Sequence, residues 1–151
     1  MSGPNFSEIL SSAKLGEIEK PKPMPIGSYE ANIVKIEFDK SSQKKTPLVR
    51  FHFSIVQALE DVSEDDLEEF GDVVGKKAKT DFYLTDAALH MLQDFILYHV
   101  GLDIEGTSLE EAIPQCQNNV VGIRIKHEIS QRDNETVFAV VDATFSMEDA
   151  A

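Results

Sequence analysis

The sequence predicts a mainly β domain with helices: five strands, a helix between the third and fourth, and an N-terminal arm. Three observations carry this. Short runs alternating apolar and polar residues, rich in valine, isoleucine and phenylalanine, recur along the 151 residues. That two-residue period is the mark of strands with one buried face. One stretch, 86–99, instead repeats its apolar residues at helical spacing over about four turns. The length suits a single domain, and 42% apolar against 27% charged residues suffices for a core.

Taken in order, residues 1–25 read as a flexible arm. Phe6, Ile9 and Leu10 would form one side of a short helix after Asn5, before Pro21, Pro23 and Pro25 impose extended backbone. The domain proper spans 26–146, and 147–151 are a short acidic tail. Ser28–Phe38 is the first strand, with a bulge or bend expected where Ile33 and Val34 interrupt the alternation. A polar loop with Lys40, Lys44 and Lys45 leads to the second strand, Leu48–Gln57. There Val49, Phe51, Phe53 and Ile55 face one way and Arg50, His52 and Ser54 the other. Residues 58–72 form an acidic insert with a helical turn around Asp65–Phe70. In the third strand, Lys76–Leu84, Ala78, Thr80 and Phe82 alternate with Lys77, Lys79, Asp81 and Tyr83.

Thr85 is placed to cap a helix over Asp86–His99 that stops at Gly101 and presents Ala88, Leu89, Leu92, Phe95 and Ile96 to the core. Thr107 and Glu110 have capping-box spacing, predicting a short helix limited by Pro114. Asn119–Ile129 and Glu135–Phe145 are the last two strands, joined by a turn at Arg132–Asn134. Val121, Ile123 and Ile125 point opposite to Arg124 and Lys126. This linear order is that of a five-stranded OB-like barrel. A five-stranded sheet with a helix across one face shares it.

The formal net charge is −13, from 27 acids and 14 bases, which excludes nucleic-acid or membrane binding by global charge. The acidity is local: eight acids and no base lie between Glu60 and Asp72. Without those eight and Glu148 and Asp149, 17 acids stand against 14 bases. No stretch is apolar enough to span a bilayer and no signal peptide is visible, so a cytoplasmic protein without membrane contact is expected. The lone cysteine, Cys116, allows no internal disulfide and has no basic neighbour to activate it.

Phosphate-loop, Gly-x-Ser-x-Gly and His-Glu-x-x-His patterns are missing, and the histidines share no ligand spacing. The expectation is a non-enzyme with no cofactor and no metal. The faces opposite the expected core are more telling. They carry Arg50 and His52, then Lys77, Lys79 and Tyr83, then Arg124 and Lys126, while the loop after the first strand adds Lys44 and Lys45. Cations along a surface with rings for stacking are what a single strand of nucleic acid requires. Tyr83 is the foremost candidate ring, followed by Phe138 and then Tyr29. The same face read as ordinary solvent-facing strand surface needs no ligand.

Pro25-Ile-Gly-Ser-Tyr29-Glu-Ala-Asn-Ile33, Gly75–Leu84 with its following helix, and Asn119–Lys126 with its closing hairpin together resemble small phage-encoded single-stranded-DNA-binding replication and recombination accessory proteins. The likeness spans residues 24–146. It implies an OB-like domain that coats single-stranded DNA without catalysis, with replication or recombination proteins as further partners and self-association left open. The short tail without a terminal ring and the long acidic insert depart from that pattern. They sustain a different reading, a protein-interaction module or inhibitor acting through its acidic segment on a nucleic-acid enzyme.

Overall fold

A computed structural model describes residues 6–12, 14–15 and 22–148. The five alternating runs form strands β1 (Gly27–Lys40), β2 (Pro47–Ala58), β3 (Lys77–Tyr83), β4 (Val120–Ile129) and β5 (Val137–Phe145). They make one sheet in the order β3-β2-β1-β4-β5. Every pairing is antiparallel, so the two edge strands, β3 and β5, run in the same direction.

The expected mainly β fold of five strands with helices is found, as an open sheet rather than a closed barrel. Among the described residues no hydrogen-bonded ladder joins β3 to β5, and the sheet is open. It is nevertheless rolled. The row of paired residues beginning at Lys77 runs through Ser54 and Asn32 to Val120. Yet Lys77 shares a cleft with Phe138–Val141, which pair further along β4. That displacement is the stagger of a sheet curled on itself. Register shifts in β1 between Glu30 and Ala31 and between Ile33 and Lys35, the second where Ile33–Val34 predicted it, allow the bend.

The core lies on the concave side. Val49, Phe51, Phe53 and Ile55 meet Val121, Ile123 and Ile125, as the alternation requires. Helix α3 (Leu89–Asp94) continues as a π-helical segment, Phe95–Val100, and sets Leu92, Phe95 and Ile96 against them. Phe51 and Phe82 lie 4.8 and 4.9 Å from the Phe95 ring, forming an aromatic cluster under the helix. The helix begins later than the sequence suggests. Thr85 contributes only its carbonyl, which accepts from the Ala88 and Leu89 N–H groups, and this turn precedes the helix. Gly101 stops it, in the left-handed conformation at φ 83°. In α4 (Leu109–Gln115) the cap is Ser108 rather than Thr107. Thr107 N–H is already given to the Ile104 carbonyl in the preceding turn.

The acidic insert is a folded element. Ser63 caps α2 (Glu64–Phe70), accepting the Asp66 N–H at 3.3 Å. Val62 and Val73 are buried on either side, and Leu67 and Phe70 pack against the core. Burying a valine contributes about 1.5–3 kcal/mol, so the insert is fastened down rather than loose. Asp61 reinforces it, its carboxylate accepting from Ser28 N–H at 2.8 Å and Ser28 Oγ at 2.7 Å. Gly27, at φ 141°, allows this approach: a Cβ there would lie 2.6 Å from Val62 Cγ2.

The N-terminal arm contains the expected short helix, α1 (Phe6–Ser12), none of whose residues is buried. Residues 1–5, 13 and 16–21 of the arm lie outside the described residues. Its last residues are docked: Met24 and Pro25 are buried. His127 Nε2 lies 2.8 Å from the Met24 carbonyl, and Tyr29 donates to the Pro25 carbonyl at 2.7 Å. Tyr29 is therefore no stacking ring. Its side chain is wholly buried, and burial, with Asp61 and Asp66 nearby, pushes its pKa up to about 12.

Candidate functional site

The curl of the sheet brings β3 beside β5 and opens a cleft of about 630 Å³ between them. Alternation on β3 turns Lys77 and Lys79 outward to its rim, while Ala78 faces inward. Across from them stand Phe138 and Val140 of β5, with Ile125 and Met24 contributing apolar surface. His52 reaches the same cleft because its register partner on β3 is Lys79. Four of the residues singled out in the sequence, His52, Lys77, Lys79 and Phe138, thus meet in one place.

Three more residues there were not selected from sequence: Lys22, Lys76 and Phe70. Lys76 extends the Lys76–Lys79 run, and its Nζ sits 5.9 Å from the centre of the Phe70 ring. Adjacency to Lys77 was the available signal for it. Nothing local marked Lys22 or Phe70, which reach the cleft through the docking of the arm and of α2.

The remaining cations differ in whether a carboxylate already holds them. Arg50 faces outward on β2, but its neighbours in register are Glu37 on β1 and Asp81 on β3. Its Nε and Nη2 grip the two Asp81 oxygens at 2.7 and 3.2 Å, while Nη1 reaches Asp39 at 3.2 Å and Glu37 at 3.4 Å. This forked pairing, led by the Asp81 hydrogen bond, raises the guanidinium pKa further above its ordinary value. Glu37 is held below its usual carboxylate value, first by His52, whose Nε2 lies 2.6 Å away, and also by Arg50. Asp39 is held low first by the Lys40 N–H and then by Arg50. Three carboxylates against one guanidinium and Lys35, whose Nζ lies 4.0 Å from Glu37, leave the middle of this outer face acidic.

Arg124 and Lys126 are also tied. Both lie within 3.6 Å of Asp142, and Lys126 within 3.5 Å of Glu128. They are set apart from β2 by β1, although Lys126 is opposite Val140, which lines the cleft. By contrast Lys44, Lys45, Lys76, Lys77 and Lys79 stand without a carboxylate partner among the described residues. Lys44 and Lys45 project from a turn closed by hydrogen bonds from Ser41 N–H to the Thr46 carbonyl and from Lys45 N–H to the Ser41 carbonyl. That turn stands at the end of β3 occupied by Tyr83, whose register partner Leu48 follows the loop directly. From Lys77 to Tyr83 is about 20 Å along the strand. Phe138 and Tyr83, 41% and 45% exposed, are rings free to take a partner at either end.

Cys116 is buried, and desolvation pushes its thiol up to about 12, well away from a nucleophile's range. Among the described residues no cluster of His, Cys, Asp and Glu could hold a metal ion, and no helix is long and apolar enough to cross a membrane. Neither a family model nor a curated protein matches the sequence.

Proposed function

We propose that the chain binds single-stranded DNA without catalysis, as a phage-type coating protein in replication or recombination, in the cytoplasm. In this reading the rolled sheet is a partly open OB-like barrel, and the strand crosses its β3 edge. The observation that carries it is the row of lysines, Lys76, Lys77 and Lys79, that have no carboxylate partner among the described residues, beside Phe138 and leading to Tyr83, in a chain otherwise strongly acidic. Phosphates follow the lysines, bases stack on the two rings, and Lys44 and Lys45 close the far end. Arg50 acts there through its carboxylates: it pairs with Glu37, Asp39 and Asp81 and offsets part of the charge that would otherwise repel the backbone. Arg124 and Lys126 contribute only after leaving Asp142.

The test is fluorescence anisotropy of a labelled oligo(dT) of about 30 nucleotides, at low and physiological salt, against a duplex of equal length. Salt-sensitive binding that favours the single strand is expected. No binding at low salt, or equal binding of the duplex, overturns the reading.

The docking of α2 favours a second reading, since it presents Glu64, Asp65 and Glu68 as a fixed exposed face to a protein partner. Neutralising these three to Gln or Asn separates the two. DNA binding is retained or tightened under the first reading, whereas capture of a nucleic-acid enzyme is lost under the second.

A further inference from the structure

The walls of the β3/β5 cleft offer backbone groups as well as side chains. At one end of the β2–β3 ladder Ile55 N–H donates to the Lys76 carbonyl, and at the other Leu84 N–H donates to the Pro47 carbonyl, both at 2.9 Å. The register between these two bonds is unbroken. Bonded pairs in an antiparallel ladder recur at every second residue, so Ala78, Thr80 and Phe82 turn their backbone groups to β2. Lys77 and Lys79 turn theirs to the open edge. On β5, Ser130 N–H donates to the Thr136 carbonyl at 2.8 Å, and the register is unbroken from Val137 to Val141. By the same alternation Phe138 and Val140 are bonded to β4, while the backbone of Ala139 and Val141 faces away from it. Lys77, Lys79, Ala139 and Val141 all line the cleft. Two rows of backbone donors and acceptors thus look into it from opposite walls, and among the described residues no ladder pairs them. Beneath them Ala78, Ala139 and Val141 are half-buried, apolar and small enough to leave the floor open.

A ligand matched to this cleft has an apolar face, donors and acceptors along one edge, and an attached anion for the lysines at the rim. A nucleobase on its phosphate backbone has all three. An anion on a hydrocarbon chain lacks the polar edge and would leave both backbone rows unpaired. We infer that one base of the bound strand enters the cleft, its Watson–Crick edge on the open backbone of β3 and β5 and its face on Phe138. This rests on the single-stranded DNA reading and supplies a cause for its strand selectivity. In a duplex that edge is already bonded to the complementary base, so only an unpaired base can enter. Stacking on an exposed ring, by contrast, is indifferent to what the base edge carries.

The test compares oligo(dT) of about 12 nucleotides with the same oligonucleotide built from N3-methylthymine, both against the full wild-type chain. Methylation keeps the phosphates and the stacking face but replaces the N3–H donor by a methyl group. Anisotropy is expected to show binding of the methylated strand weakened about 10-fold or more, with an unchanged salt slope. In amide NMR spectra the N–H signals of Lys77, Lys79, Ala139 and Val141 are expected to shift with oligo(dT) and to stay in place with the methylated strand. Equal affinity for the two strands, or the same response of those four amides to both, overturns the inference and leaves the DNA reading standing. Failure of both strands to bind at low salt overturns that reading, and the inference with it.

Discussion

On the proposed reading, the salt dependence of DNA binding is expected to separate the lysines without carboxylate partners among the described residues from the cations that have them. For a single strand each neutralised phosphate adds about 0.7 to the slope of log K against log salt. Five contacts, from Lys44, Lys45, Lys76, Lys77 and Lys79, therefore give a slope of about −3.5, and Lys77→Ala/Lys79→Ala reduces it to about −2.1. A fourfold rise in salt then weakens the wild type about 100-fold and the double variant about 20-fold. Both residues are exposed on an edge strand, so the substitution leaves the core untouched.

The control is Arg124→Ala/Lys126→Ala. These cations already sit on Asp142 and Glu128, so they release few counterions on binding. Their removal is expected to move the slope by less than about 0.7. Anisotropy titrations with oligo(dT) at four or more salt concentrations measure both slopes. An unchanged slope in the Lys77/Lys79 variant, or equal flattening in the two variants, refutes the assignment of the cleft lysines to phosphate.

Three further outcomes concern the fold around the site. Glu37 and Asp39 have folded-state values below their ordinary 4.5 and 3.8, so the stability they add is complete above those values and is lost as pH falls through the lower folded ones. The melting-temperature gap between wild type and Glu37→Gln is therefore expected to be largest near neutrality and to close below pH 4.5; a gap that widens on acidification contradicts the pairing. At Gly122 a Cβ would overlap the Phe145 ring, so Gly122→Ala should cost about 1–3 kcal/mol in thermal unfolding, relieved when Phe145→Ala is added. Cys116, with its thiol pushed up to about 12, should resist alkylation at pH 8 until the chain is unfolded in denaturant, and rapid native-state labelling would show that it is accessible.

Much of the sheet was legible because it depends on alternation, a local property. Val49–Ile55 and Val121–Ile125 could face inward only one way, and the adjacent Ile33 and Val34 marked the bulge that bends β1. Tyr29 was misread for a related reason. Alternation set it on the face of Ala31 and Ile33, but the closure of Pro25 over its hydroxyl is a contact made by the arm, which sequence pattern assigned to solvent. Helix starts were misplaced by one to three residues where a turn engaged the expected cap. Thr85 and Thr107 are both used in the turn before the helix.

Which candidate site residues face outward was legible, and how their charges are paired was not. Outward-facing cations on β2, β3 and β4 follow from the two-residue period, but what neutralises them does not. Glu37, Asp39 and Asp81 are distant from Arg50 along the chain and become its neighbours only through the β1–β2 and β2–β3 registers. Those registers turn a face read as a row of cations with Asp81 among them into an acidic centre flanked by a lysine-rich cleft. The same physics bears on the anion site proposed for so acidic a chain. Eight of its acids are held on and around α2 by Val62, Val73 and Asp61, and three more are occupied by Arg50. In the proposed reading the potential at β3 is set by Lys76, Lys77 and Lys79 against the nearest acids, Glu69 of α2, paired with Lys22, and Asp81 of β3, paired with Arg50, more than by the screened net charge. If the Lys76–Lys79 run were paired as Arg50 is, the proposed nucleic-acid strand would have no free cations to follow there.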